Sequence, residues 1–168
     1  MKVKTKRLLN EGLAKRILKD CLKKIKNKED REWLYLHSKL MREASLILAK
    51  NEKINTKALK IAAWVHDIGY IKGNGNHAKY SIEILEKEYK VKIDPVVKDC
   101  ILNHTFGKKP KTKEGKIFQV ADKLFIINRD FLEYLKKFKR EKKLKKEEVD
   151  FIKKVLDRVT ILMRDYKF

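Results

Sequence analysis

With 168 residues, 43% of them hydrophobic, the chain is long enough to bury the core of one domain and too apolar to be disordered. Its 6 glycines and 2 prolines are too few for the many turns of an all-β protein. The net charge of +21 predicts an anionic ligand, but 36 of the 44 basic residues are lysines spread along the whole chain. That pattern favours a solvated, thermophile-like surface over a dedicated nucleic-acid binder.

Hydrophobic spacing predicts about seven helices in chain order. They span approximately residues 10–27, 30–51, 55–69, 76–89, 94–107, 113–139 and 145–168. Asn55, Asn76 and Asp94 are the expected N-caps of the third, fourth and fifth helices, and Pro95 suits a first helical position. The expected fold is all-α, a single compact domain over residues 1–168 with a central core at about 30–130. The N-terminal helix and the basic C-terminal helix are expected to pack on that core.

Two further features bear on partners and location. The run from Lys136 to Lys143 could bind nucleic acid, although the interleaved Glu141 and the following Glu147 favour a solvated helix end. No apolar run of signal-peptide length follows the basic N-terminus, and no stretch approaches the roughly 18 apolar residues that cross a membrane. A cytoplasmic location without membrane contact is therefore expected.

Five successive helices each carry a metal-competent side chain at a position that periodicity turns toward the core. These side chains are His37, His66, His77, His104 and Asp122. A single buried histidine is more often a hydrogen-bonded core residue than a ligand. Five such groups scattered separately would be costly, because each unsatisfied buried polar group destabilises the fold by about 1–3 kcal/mol. Convergence on one cation satisfies all of them, so the pattern predicts a shared metal site.

The order of these motifs resembles the HD superfamily of metal-dependent phosphohydrolases. The resemblance rests on His37, on the pair His66-Asp67 within Trp-Val-His-Asp-Ile-Gly, and on Asp122 within Val-Ala-Asp-Lys-Leu. His77 and His104 are similar to the two additional histidines of binuclear members. The resemblance covers residues 37–124, about half of the chain.

This resemblance implies a specific set of ligands. His37, His66, Asp67 and Asp122 would hold a first metal, His77 and His104 would complete a second position, and Asp67 would bridge the two. His66 and Asp67 would be the central catalytic pair.

Substrate contacts are expected near the ligands. Members with this pattern often carry lysine directly after Ile-Gly, where this chain has Tyr70, and Lys72 lies two residues further on. Lys72, Lys123 and Tyr70 are therefore candidates to contact substrate. The alternative for both lysines is an ordinary solvated surface position.

The expected activity is hydrolysis of a phosphoester or phosphoanhydride by metal-activated water. The resemblance favours a phosphate-containing small molecule, a nucleotide in particular, with one or two divalent ions of Mn, Fe, Co, Ni, Zn or Mg. Two alternatives stay open. Some helical proteins with a similar ligand set are diiron oxygenases, and a domain of this kind can serve as a regulator or nucleic-acid binder.

Overall fold

The computed structural model describes residues 6–73, 75–125 and 146–166. Within these residues the fold has seven α-helices: α1 Glu11–Lys23, α2 Lys28–Leu48, α3 Thr56–Val65, α4 His77–Glu83, α5 Pro95–Asn103, α6 Lys113–Leu124 and α7 Lys146–Tyr166. A 3₁₀ segment, Ile68–Lys72, follows α3, and a π-helical turn, Ile84–Glu88, continues α4. The strands β1 Arg7–Leu8 and β2 Val91–Lys92 form one short parallel pair. The all-α prediction is confirmed, and this strand pair was not foreseen.

Most helices begin where their capping residues predict. The side chains of Asn55 and Asp94 accept hydrogen bonds from backbone N–H groups in the first turns of α3 and α5. Asn76 is the N-cap residue of α4 as predicted, but its side chain makes no capping hydrogen bond. The third helix is also shorter than expected, since its α-helical part ends at Val65. Residues 126–139 of the expected sixth helix, and the basic run 136–143, lie outside the described residues.

Helix α3 occupies the centre of the core. Its residues Ala58, Leu59, Ala62 and Ala63 are all buried, and the helix contacts α1, α2, α5 and α6. Three of these four side chains are alanine methyl groups, so neighbouring helices can approach closely. The ends of α3 and its neighbours are consequently held in a close-packed frame.

Helix α7 covers the other side of α2 and α6. Val155 packs with Leu40 and Phe125 in a second apolar cluster. Near its C-terminal end, the Tyr166 hydroxyl donates a hydrogen bond to the Gln119 side-chain oxygen on α6. The Gln119 amide nitrogen lies 3.0, 2.8 and 3.1 Å from the carbonyl oxygens of residues 103, 105 and 108. One buried glutamine therefore connects α7 to the loop after α5.

No helix within the described ranges has both the length and the apolar character needed to span a bilayer.

Asp99 organises the connection between α5 and α6. Its carboxylate accepts hydrogen bonds from the Thr112 hydroxyl at 2.7 Å, the Thr112 N–H at 2.9 Å and the Lys111 N–H at 3.1 Å. Burial alone would raise the pKa of Asp99, but these donors and the Asn103 amide outweigh it and lower the pKa. The contribution of Asp99 to stability is thus present above its unfolded pKa of about 3.9 and is lost as the pH falls through the lower folded pKa.

We expect Asp99→Asn to lower the free energy of unfolding at pH 7 by about 1–2 kcal/mol, because charge-assisted hydrogen bonds are lost. The difference from the wild type should shrink below about pH 4. Urea titrations at pH 7 and pH 3.5 measure both values. Asp20→Asn, which removes an exposed carboxylate paired with Lys23, is the matched control and should change stability by less than about 0.5 kcal/mol. A pH-independent loss at Asp99 would contradict the assignment.

Candidate metal centre

Two histidines are presented by the C-terminal ends of helices. His66 is the C-cap of α3 and His104 is the C-cap of α5. Their Nδ1 atoms lie 3.1 Å from the Ala63 carbonyl oxygen and 2.7 Å from the Ile101 carbonyl oxygen, three residues earlier in each case. Because a carbonyl only accepts, each Nδ1 carries the proton and donates. The Nε2 atom of each ring therefore points away from its own helix, in the orientation of a metal ligand.

The Nε2 atoms of His37 and His66 form one group with two carboxylates. They lie 3.2 Å from each other. From His37 Nε2, Asp122 Oδ1 is at 3.2 Å and Asp67 Oδ2 at 3.4 Å. From His66 Nε2, Asp67 Oδ2 is at 3.2 Å and Asp122 Oδ1 at 3.7 Å. All four residues are at most 6% exposed.

His77 and His104 form a second group around the other oxygen of Asp67. Their Nε2 atoms lie 3.0 Å apart, and Asp67 Oδ1 is 3.4 Å from His77 Nε2 and 3.3 Å from His104 Nε2. One carboxylate therefore faces two donor groups, Oδ2 toward the first and Oδ1 toward the second. The structure brings together all six side chains that the motif pattern selects.

The donor set fits divalent transition metals. Atoms bound to one first-row ion at about 2.1 Å lie roughly 3.0–3.4 Å from one another in octahedral or tetrahedral geometry, close to the separations within each group. Asp67 Oδ1 is buried and has no hydrogen-bond partner, although two imidazole nitrogens face it. A buried acceptor that faces imidazole nitrogens in this way is suited to bind a cation. Two sets of three residues each bring one ligand atom per residue within 4.8 Å of the other two. The sets are His37, His66 and Asp122, and His66, Asp67 and His104.

The charges in the centre keep its carboxylates ionised and favour a positive charge on or between the facing imidazoles. Burial alone would raise the pKa of Asp67, but His66, His104 and His37 outweigh it and hold the pKa well below its usual range. Burial alone would lower the pKa of His66, yet Asp67 and Asp122 raise the pKa of His66 to about 10. The carboxylates thus stay ionised and attract either protons or a metal ion to the facing imidazoles.

A short turn couples the two donor groups. The Ser81 hydroxyl on α4 donates to the His66 carbonyl oxygen at 2.6 Å and accepts from the Gly69 N–H at 2.8 Å. At Gly69, a β-carbon would overlap the His77 carbonyl oxygen and would lie 2.7 Å from the Ser81 nitrogen. Glycine is required here because the chain after Asp67 runs directly against α4, and this close approach fixes His77 relative to His66.

A cavity of about 220 Å³ opens beside the two groups. Tyr70 lies at its wall, with its ring stacked on His77 at a centroid distance of 4.2 Å. The Lys123 ammonium is paired with Asp122 Oδ2 and lines the same cavity. Lys72 is not among the lining residues, because its ammonium pairs with Glu88 at 2.7 Å. The structure therefore brings two of the three candidate substrate contacts, Tyr70 and Lys123, to the cavity and places Lys72 elsewhere.

A second cavity, of about 310 Å³, shares Trp33, Asp67 and Tyr70 with the first. Its other walls are Ile25, Asp30 and Leu34. The cation Lys123 lines only the first cavity, whereas the second has apolar walls and the exposed carboxylate of Asp30. The two cavities, which share Tyr70 and Trp33 as walls, therefore differ in charge: the first contains a lysine and the second a carboxylate and apolar side chains.

Sequence reasoning missed part of the cavity wall. Phe151, Val155 and Arg158 reach it from α7, about thirty residues beyond the last motif. The spacing of the buried Val155, Val159 and Leu162 could have identified the packed face of α7. Nothing in one sequence indicates that Arg158, at the border of that face, would reach a site built from α2 to α6. Thr105 could have been suspected, since it directly follows His104 and also lines the cavity.

Comparison with known proteins agrees with this geometry. The family profile described as HD domain matches residues 34–126, just over half of the chain. The chain belongs to the HD-domain family. The match includes all six clustered side chains, so the family assignment and the metal-competent centre rest on the same part of the chain.

One curated relative of this HD-domain chain is a deoxyguanosinetriphosphate triphosphohydrolase-like protein from Caldanaerobacter subterraneus subsp. tengcongensis. The two are 31% identical over an alignment of 112 positions, which covers 56% of this chain and 33% of the relative. The matched segment thus spans about a third of the relative's length. No solved structure matches the chain significantly.

We expect Gly69→Ala to displace α4 and with it His77, because the added methyl group overlaps backbone atoms that cannot move independently. The predicted result is a loss of stability of about 2–4 kcal/mol and weaker metal binding. Urea unfolding and metal titration of the purified variant measure the two effects. Gly75→Ala is the control, since nothing lies within 4 Å of a β-carbon at that position. Wild-type behaviour of Gly69→Ala would show that the close approach does not constrain the centre.

Proposed function

We propose that this HD-domain protein is a metal-dependent phosphohydrolase, with two divalent ions held on either side of Asp67. The observation that carries the proposal is the Asp67 carboxylate, whose two oxygens each face a separate pair of imidazole Nε2 atoms within 3.2–3.4 Å. The first ion would be held by His37, His66, Asp67 and Asp122. The second would be held by His77, His104 and Asp67.

Divalent ions in these positions would supply a water of lowered pKa and polarisation of a phosphoryl group. The chain's own residues do the rest. By accepting from Nδ1, the carbonyl groups of Ala63 and Ile101 orient the His66 and His104 rings so that Nε2 can bind a metal ion in place of a proton. Lys123 pairs with Asp122 at the cavity wall and can bind an anionic substrate oxygen there. Tyr70 holds the His77 ring by stacking and limits access of bulk water from that side.

The proposed substrate is a small phosphoester or phosphoanhydride, preferably a nucleotide. The phosphate would bind in the cavity beside the metal centre, where Lys123 is located. The adjoining cavity, with Trp33, Tyr70 and Leu34 in its walls, offers planar and apolar surfaces to an organic group, and Asp30 can accept a hydrogen bond from a hydroxyl or amino group. The name of the curated relative, a triphosphohydrolase-like protein, supports the same substrate class.

The first test measures metal binding without turnover. We expect purified protein to bind close to two equivalents of Mn²⁺ by calorimetry, and saturating metal to raise the melting temperature by about 5–10 °C. A His66→Ala, Asp67→Ala double variant should bind none. Asp20→Asn changes an exposed carboxylate that pairs with Lys23 and is not one of the clustered side chains, so this variant should bind Mn²⁺ like the wild type. A wild type that binds no divalent ion would reject the metal centre.

Single variants should separate the two ions. His37→Ala is expected to remove the first equivalent and His104→Ala the second, because each ring faces only one oxygen of Asp67. Each variant should retain about one equivalent. Loss of both ions in both variants would instead indicate a single mixed site.

Activity is tested by phosphate release from nucleotides and aryl phosphates with added Mn²⁺, Co²⁺, Ni²⁺ or Fe²⁺. We expect metal-dependent hydrolysis that falls at least 10³-fold in the double variant, as the removed groups act together. Tightly bound iron, oxygen consumption and no hydrolysis would favour the oxygenase alternative. Nucleic-acid binding that is unchanged in the double variant, without any turnover, would favour a binding or regulatory domain.

A further inference from the structure

Arg158 brings a guanidinium group to the metal cavity from outside the motif-bearing helices. It lies on α7, and it lines the cavity together with His77, His104 and Lys123. Arginine is scarce in this chain, with 8 residues against 36 lysines. Its planar group can donate two parallel hydrogen bonds to a phosphate, which an ammonium cannot.

The charge of Arg158 is not neutralised within the part of the chain that the structure describes. No described carboxylate lies within ion-pair distance of it, whereas Arg42 pairs with Glu11 at 2.7 Å and Arg164 with Asp165 at 3.1 Å. The guanidinium instead lies over the Phe106 ring, 5.1 Å from its centroid. A cation–π contact holds the group in place and leaves its N–H donors available to an anion.

Helix α7 and the loop after His104 are joined, so Arg158 keeps a defined position beside the second donor group. Phe106, which contacts Arg158, lies two residues after His104. The Gln119 amide holds the Thr105 carbonyl oxygen at 2.8 Å, and the Gln119 side-chain oxygen accepts from Tyr166 on α7. Val155, one turn before Arg158, packs on Leu40 and Phe125. The helix that carries Arg158 and the loop that carries Phe106 are therefore both held by packed or hydrogen-bonded groups.

We propose that Arg158 binds the non-bridging oxygens of the substrate phosphate in the cavity that His77 and His104 also line. The proposal rests on the phosphohydrolase function proposed above and specifies how its substrate is held. Lys123 is already paired with a carboxylate and Lys72 is paired with Glu88. Arg158 is thus the cation of the cavity with its donors uncommitted among the described residues, and it acts by binding and orienting phosphate.

The test is calorimetric binding of inorganic phosphate, and of pyrophosphate, to the full chain loaded with Mn²⁺ at about 0.15 M salt, which screens the lysine-rich surface. Arg158→Gln is expected to weaken phosphate binding by about 10- to 100-fold, since a charge-assisted bidentate contact is lost. Arg158→Lys should recover only part of the affinity. Arg164→Gln, on the same helix but exposed and paired with Asp165, is the matched control and should bind phosphate like the wild type.

Metal content and melting temperature are measured on each variant, so a folding defect is recognised before affinities are compared. Unchanged phosphate affinity in a folded, metal-loaded Arg158→Gln variant would overturn the proposal, as would an equal loss in Arg164→Gln. A wild type that fails to bind either anion would overturn it as well. Phosphate binding that depends on Arg158, in a protein that hydrolyses no phosphoester, would support the anion site while rejecting the phosphohydrolase function. Hydrolysis with an unchanged KM in Arg158→Gln would support the phosphohydrolase function while rejecting the anion site at Arg158.

Discussion

The buried carboxylate of Asp67 is the constraint on which the rest of the structure depends. It is 6% exposed, and the Nε2 atoms of four histidines lie within 3.2–3.4 Å of its two oxygens. An isolated buried carboxylate would strongly destabilise the fold, so positive charge must come from the facing imidazoles or from cations that they help to hold. The four helices α2 to α5 must therefore pack so that their histidine rings surround this one carboxylate.

The fold meets this requirement with helix ends rather than helix faces. His66 and His104 are both C-caps, and each ring is oriented by the carbonyl group three residues earlier. Ser81 and Gly69 then bring α4 against the turn after His66, which places His77 next to His104. Only His37 projects from the middle of a long helix, and its ring stacks on Trp33 in the same helix. Local backbone geometry thus supplies much of the precision that a metal centre needs.

Five of the six clustered side chains could be identified from periodicity because each is a polar group at a position directed inward. Asp67 was identified only from the family resemblance, as the residue that follows His66. Sequence reasoning was less successful where the outcome depends on tertiary contacts. Asn76 has the residue type of an N-cap but makes no capping hydrogen bond, and the π-helical turn at Ile84–Glu88 has no local signal. Ile47 lies at helical spacing after His37 and Leu40, which are buried, yet it is 73% exposed, because the buried face shifts to Met41 and Ser45 toward the end of α2. Capping and periodicity describe a helix alone, and its neighbours decide which face is buried.

The large positive charge is a poor guide to where an anion binds, and the reason lies in the pairing of individual cations. Lysines along the surface are often adjacent to acidic groups, as in the Lys72–Glu88 and Lys98–Glu86 pairs, so their fields largely cancel at short range. An anion entering the cavity beside Asp67 also meets two buried carboxylates, which repel it unless metal ions offset them. Under that condition, a guanidinium at the cavity wall that has no ion-pair partner among the described residues would contribute more to binding than many solvated lysines, because it would act at contact distance with fixed donors. In the proposed function, the position of Arg158, rather than the net charge of +21, is therefore the feature that would orient a phosphate toward the metal centre.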